Sequence, residues 1–181
     1  ESLQGFRDRP LDQCGLPYGV WDGTDGKARV GGRIVARAVI GATGGTRDGE
    51  REVLGGEVGD SEDGAFWIAF LRGLRARGLT GVKLVISDAH LGLREAISSV
   101  MLDAAWQRCR VHLARNVLAK VPKGSADMVA AAMRTIYAQP DATHVHAQFH
   151  EIVSTLERQL PDAANIPHDT RANAPALPAP P

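Results

Sequence analysis

The chain has 181 residues, 44% hydrophobic and 23% charged, the composition of an ordinary soluble globular protein with room for a sizeable core. Its 21 basic and 21 acidic side chains cancel, which counts against a stand-alone nucleic-acid binder, because phosphate neutralisation supplies most of such a protein's affinity. No run of roughly 18 apolar residues is present, which argues against a membrane span, and residues 1–10 lack the basic start and apolar core of a secretory signal.

Position 1 is not a methionine, so the sequence predicts a fragment or a processed product with a further N-terminal domain elsewhere. Cys14 and Cys109 are too few for a disulfide framework, and a reducing, cytoplasmic setting is expected.

Residues 1–17 read as an irregular lead-in. A short strand is predicted over Tyr18 to Thr24, with a turn at Asp25-Gly26. Arg33 to Gly41 is β-branched and apolar on both faces, as a strand covered on both sides would be. Arg47-Asp48-Gly49-Glu50 is a hairpin signal, and Glu52 to Val58 is a third strand. Asp60 or Ser61 is expected to cap a helix, with Glu62 and Asp63 at its positive end. Its inner face is Phe66, Trp67, Phe70, Leu71 and Leu74, and Gly78 stops it. Val82 to Ile86 is a buried strand, Leu93, Ile97, Val100 and Met101 mark a helix, and Ala104 to His112 is a fifth strand.

Helices follow. One is predicted over Leu113 to Lys120, then a break at Pro122-Lys123-Gly124, then helices opened by Ser125 and by Asp141. Six of the ten prolines fall between Pro161 and Pro181, so that tail is expected to be disordered. Three antiparallel strands followed by alternating strands and helices predict an α/β domain with a mixed five-stranded sheet flanked by helices.

Two carboxylates stand where strands disfavour them: Asp22 inside the first strand and Asp88 at the end of the fourth. On neighbouring strands they would meet at one point and offer oxygen ligands to Mg2+ or Mn2+, which keep water and take further oxygens from a phosphate. A third carboxylate would complete a two-ion site. The competing reading of Asp88 alone is a helix cap. Cys109 and His112 resemble half a zinc site, but zinc wants four ligands and the other cysteine is Cys14, so packing or support of the active site is the reading taken. His144, His146 and His150 read as a solvated helix face. Gly41-Ala42-Thr43-Gly44-Gly45 and Gly26-Lys27 both lack the context of a phosphate loop.

Three stretches carry a resemblance: residues 51–62 (Arg51 to Glu62), Leu84-Val85-Ile86-Ser87-Asp88-Ala89-His90, and Trp106-Gln107-Arg108-Cys109-Arg110-Val111-His112. Arg115-Asn116, Val121-Pro122-Lys123-Gly124 and Ala138-Gln139-Pro140-Asp141 extend it, so that it runs through most of Pro17 to Asp162. In these motifs the chain resembles the Mutator-type transposases of bacterial insertion sequences. The resemblance implies a ribonuclease-H-like fold and a site of two Asp and one Glu holding Mg2+. Asp22 and Asp88 match the two Asp, and Cys109 and His112 match a Cys-x-x-His signature.

It further implies nicking of DNA at element ends, strand transfer into target DNA, and a homo-oligomer or an association with full-length transposase at the bacterial nucleoid. On this view residues 18–120 are a partial catalytic core, 121–160 a helical insertion, and the fold is incomplete at its C-terminus. Two departures stand out. Asp25 replaces an aromatic, and nothing matches the family's Glu; Glu151 and Glu157 lie on the insertion helix and are not substitutes. A fragment inactive by itself is therefore expected, the alternative being a non-catalytic module that associates with or inhibits the intact protein. A nuclease of the same fold is a third reading, disfavoured by the Cys-x-x-His stretch and the helical insertion.

Overall fold

The computed structural model of the chain describes residues 3–12 and 15–159. Cys14 and the stretch from Pro161 onward, where the zinc and disorder expectations fall, lie outside them. The described residues form two compact units, which part between Trp106 and Gln107, inside the fifth strand.

The first unit is built on β1 (Tyr18–Val30), β2 (Arg33–Gly45) and β3 (Arg51–Gly59), followed by α2 (Gly64–Ala76), β4 (Leu84–Ser87), α3 (Leu91–Val100) and β5 (Ala105–Arg108). The strands lie in the order β3-β2-β1-β4-β5. β1 is antiparallel to β2 and parallel to β4, and β2 is antiparallel to β3. The expected α/β architecture, a mixed five-stranded sheet with helices against it, is the one present.

Several local expectations are corrected. No turn forms at Asp25-Gly26; both residues pair across the ladder, with Ala38 and Arg37. The chain reverses instead at Gly31 and Gly32, with φ of 55° and 80°. A two-residue hairpin needs two such left-handed residues in succession, and Gly-Gly supplies them more cheaply than Asp-Gly. The lead-in is not wholly irregular, since α1 spans Leu3–Asp8. Six residues fall below the length at which a helix signals itself by periodicity. Leu11 and Leu16 beyond it are buried at 0% and 2% exposure, and Leu11 N donates to Arg77 O at 2.7 Å. Arg77 in turn donates to Arg9 O at 2.9 Å and Leu54 O at 2.8 Å, tying the lead-in to β3 and the end of α2.

The helix after β3 is capped by Asp63 rather than Asp60 or Ser61. Asp63 Oδ1 accepts from Phe66 N at 2.9 Å, and Ser61 Oγ donates to Asp63 Oδ2 at 2.8 Å. These bonds, the backbone one foremost, hold the Asp63 carboxyl below its ordinary value.

One face of the sheet is covered. Trp21, Ile40, Ala42, Leu54 and Val85 pack with Trp67, Leu71, Leu74, Leu93 and Ile97 of α2 and α3. Each large side chain buried there contributes about 1.5–3 kcal/mol. Strand alternation sends Val20, Val39, Val53 and Val58 to the opposite face, where they are 42–60% exposed.

β5 ends at Arg108, four residues short of the expected strand. Leu113 and Val117, four apart and buried, belong to α4 (Arg110–Leu118), which begins earlier than their spacing alone suggested and so takes in His112. The second unit continues through a 3-10 turn (Lys123–Ser125), α5 (Ala126–Tyr137) and α6 (Ala142–Gln159). Val129, Met133, Ile136, Val145, Phe149, Ile152 and Leu156 join Leu113 and Val117 in its own core. Ser125 makes no side-chain capping bond, whereas Asp141 does, accepting from His144 N at 2.9 Å. Among the described residues no helix is long and apolar enough to cross a membrane.

Candidate metal centre

The parallel ladder between β1 and β4 runs from Tyr18↔Leu84 to Trp21↔Ser87. Asp22 and Asp88 are the next residue on each side. Trp21 and Ser87, each 1% exposed, point into the covered face, so alternation carries Asp22 to the open one. Asp22 is exposed and Asp88 half-buried.

The turn under Asp88 is fixed from below. Trp106 Nε1 donates to Ser87 Oγ at 2.8 Å, and Ser87 Oγ donates to Asp88 O at 2.8 Å. Asp88 Oδ1 accepts from Ala89 N at 2.7 Å. The helix cap itself is His90, whose Nδ1 accepts from Leu93 N at 3.3 Å. Asp88 is thus spared the capping role that competed for it.

Among the described residues no group of three or more His, Cys, Asp or Glu side chains could hold an ion. What adjacent strands offer is a pair of carboxylates. That donor set suits a hard cation which retains water and completes its shell from a phosphate, and does not suit a closed all-protein site.

Cys109 and His112 lie in the second unit, on the first turn of α4. Cys109 occupies the capping position without a side-chain capping bond, and its thiol is free. His112 is half-buried. His144, His146 and His150 stand on the exposed face of α6, and Glu151 is exposed there too.

Glu62 is the residue the sequence reading undervalued, treating it only as charge at a helix end. Its carboxylate accepts from Trp67 Nε1 at 3.1 Å and sits 3.9 Å from His90 Nδ1, too far for a hydrogen bond. It rests directly on Gly23: a Cβ there would come within 2.4 Å of the carboxylate. A half-buried acid therefore touches the residue after Asp22 and stands near the cap two residues after Asp88. The signal available in sequence was the glycine beside Asp22, a place where something must approach the backbone closely.

A mixed sheet in the order β3-β2-β1-β4-β5, with β1 antiparallel to β2 and parallel to β4, is the strand arrangement of a ribonuclease-H-like domain. The chain belongs to the Mutator family of transposases: the profile described as "Transposase, Mutator family" matches residues 1–177. It is 46% identical over 164 residues to the transposase for insertion sequence element IS1081 of Mycobacterium tuberculosis, covering 91% of this chain and 40% of that protein. It is 44% identical over 144 residues to the IS406 transposase of Burkholderia multivorans, covering 79% and 37%. To the IS256 transposase of transposon Tn4001 from Staphylococcus aureus it is 36% identical over 132 residues, covering 73% and 34%. The chain thus spans about two-fifths or less of the length of these relatives. Among solved structures, the HTLV-2 integrase catalytic core domain in complex with magnesium overlaps at a TM-score of 0.34 and 15% identity, over 70% of this chain and 90% of that one.

Proposed function

We propose that the chain carries part of the metal site of a transposase that cleaves DNA and transfers strands, with Asp22 and Asp88 as ligands for Mg2+ or Mn2+. The observation that supports this reading is the register: the two carboxylates follow immediately on the last pair of the β1–β4 ladder. A divalent ion bound there supplies activation of an attacking oxygen and charge stabilisation at the phosphate. Asp22 and Asp88 orient that ion at the open face of the sheet. Cys109 and His112 are read as support for the start of the helical segment rather than as ligands, and residues 121–160 as an insertion. Transposon ends and target DNA are the substrates, and the setting is the bacterial cytoplasm at the nucleoid, with a homo-oligomer or intact transposase as partner.

Among the described residues no third acid groups with Asp22 and Asp88 to hold an ion, Glu62 being taken up against Gly23 and Trp67, so the chain alone is expected to bind a single ion weakly and to perform no strand transfer. A plasmid-integration assay with Mg2+ or Mn2+ tests the inactivity, and Mn2+ titration followed by electron paramagnetic resonance tests the site. Mn2+ binding that disappears in both Asp22→Asn and Asp88→Asn supports the assignment. Binding untouched by either substitution rejects it. Integration abolished by Asp88→Ala would confirm the ligand and refute the inactivity.

A second reading has its own observation. The exposed valines on the open sheet face suit a chain that associates with full-length transposase and interferes with its assembly. Co-purification with an intact relative decides this, and failure to associate ends it.

A further inference from the structure

The sheet loses β4 beyond Trp21 and narrows to two strands beyond Asp25. β4 pairs with β1 only as far as Trp21, and β3 pairs with β2 only from Ala38 onward. β1 and β2 continue together to Val30↔Arg33. Residues 26–37 are therefore a two-stranded ribbon closed by Gly31-Gly32, with neither edge paired to another strand among the described residues. At ~3.4 Å per residue it reaches roughly 15 Å.

Its charge is one-sided. From Gly26 to Arg47 the chain carries five basic residues and no acidic one, although the whole sequence is neutral. Lys27, Arg29 and Arg33 are exposed. Arg37, at the root, pairs with Asp60. Alternation puts Lys27 and Arg29 on one face of the ribbon and Arg33 on the other, so positive charge flanks it on both sides. The tip carries no side chain at Gly31 and Gly32, and Ile34 beside it is 67% exposed.

We propose that this ribbon is a contact for duplex DNA, with Lys27, Arg29 and Arg33 engaging phosphates along a groove. A two-stranded β-ribbon fits the major groove of B-form DNA, and phosphate contacts position a duplex without reading its sequence. The inference rests on the transposase reading above. β1 runs from Asp22 straight into the ribbon, so a duplex held by the ribbon lies along the same strand as the carboxylate. The plainer competitor is that the charges merely keep the ribbon's open edges from pairing with other chains.

The test is fluorescence anisotropy of a labelled duplex with the whole chain, without divalent metal, across a salt series. The triple variant Lys27→Gln, Arg29→Gln, Arg33→Gln is compared with wild type and with Arg115→Gln, Lys120→Gln, Lys123→Gln, which removes the same net charge from the helical unit. The ribbon variant is expected to bind at least about tenfold more weakly and to lower the slope of log K against log salt by about 2–3, since each lost phosphate contact removes ~0.9. The helical variant is expected to keep most of the slope. Equal losses in both would make this a net-charge effect and overturn the proposal. So would a wild-type chain that binds no duplex, or a ribbon variant that aggregates while binding as before. If the triple variant unfolds by circular dichroism, the three single variants are titrated, each expected to lower the slope by about 0.9. Mn2+ binding at Asp22 and Asp88 is measured separately, so either reading can fail while the other stands.

Discussion

The two compact units are built on opposite principles. The sheet unit depends on pairings between distant parts of the chain, and Trp21 meets Ser87 across 66 residues. The helical unit closes on itself through neighbouring helices, each with its own apolar stripe. Their charge differs as well: 13 basic and 15 acidic residues up to Trp106, against 7 and 4 from Gln107 to Gln159. Long-range register sets Asp22 and Asp88 just past the last pair of one ladder, whereas local helix packing produces a core and a charged exterior.

The largest expected effects test whether each core belongs to its own unit. Trp67→Ala should destabilise the sheet unit by about 3–5 kcal/mol, and Phe149→Ala the helical unit by a similar amount. Trp21, Trp67 and Trp106 are the only tryptophans and all lie before Gln107, so their fluorescence reports the sheet unit alone. In a urea titration Phe149→Ala should move the far-ultraviolet ellipticity transition and leave tryptophan emission in place. A shift of both together would break the comparison.

Next comes the seat of Glu62. Gly23→Ala should expel its carboxylate and leave Trp67 Nε1–H without its acceptor, at a cost of about 1–3 kcal/mol. The same substitution made in a Glu62→Ala background should cost little more. Full additivity in that double-mutant cycle would deny the contact.

A smaller effect of opposite sign is expected in the helical unit. The Tyr137 hydroxyl is buried without a hydrogen bond among the described residues, and the Arg110 guanidinium lies over the Tyr137 ring, 5.6 Å from its centroid. Tyr137→Phe should leave stability unchanged or raise it by about 1 kcal/mol. Burial also lifts the Tyr137 pKa above its ordinary 10.0. A raised value in the folded state means stability held below pH 10.0 and lost as pH climbs through the folded value, so the Phe variant should flatten the alkaline limb of a pH–stability profile.

The acid limb is shared and weakest. Asp63 and Asp141, one in each unit, are held below their ordinary 3.8, in both cases first by a backbone N–H, that of Phe66 and of His144. Their contribution is present above pH 3.8 and fades as pH falls through the lowered values. Asp63→Asn and Asp141→Asn should shrink that acid loss in thermal melts.

Much of this was legible beforehand, for physical reasons. The helix faces from Trp67 to Leu74 and from Val145 to Leu156 follow from period alone, and the strand sequence follows from apolar runs between turn formers. Asp22 and Asp88 were conspicuous because charge is out of place in strands. Less legible were features set by competition or by tertiary contact. Asp25-Gly26 lost its turn to Gly31-Gly32 five residues on. Cys109 and His112 fell on a helix because Leu113 and Val117 drew it backward. Glu62 could not be placed without knowing that Gly23 leaves room for it.

The hairpin closed at Gly31-Gly32 also bears on the order of events in folding. Its ladder zips from partners 3 apart at Val30 and Arg33 to partners 27 apart at Tyr18 and Gly45. The β1–β4 ladder must instead close a loop of 66 residues at every pair. Because closure entropy rises with loop length, the hairpin should form early and wait for β4. Asp22 and Asp88 would then take their places on adjacent strands only near the end of folding.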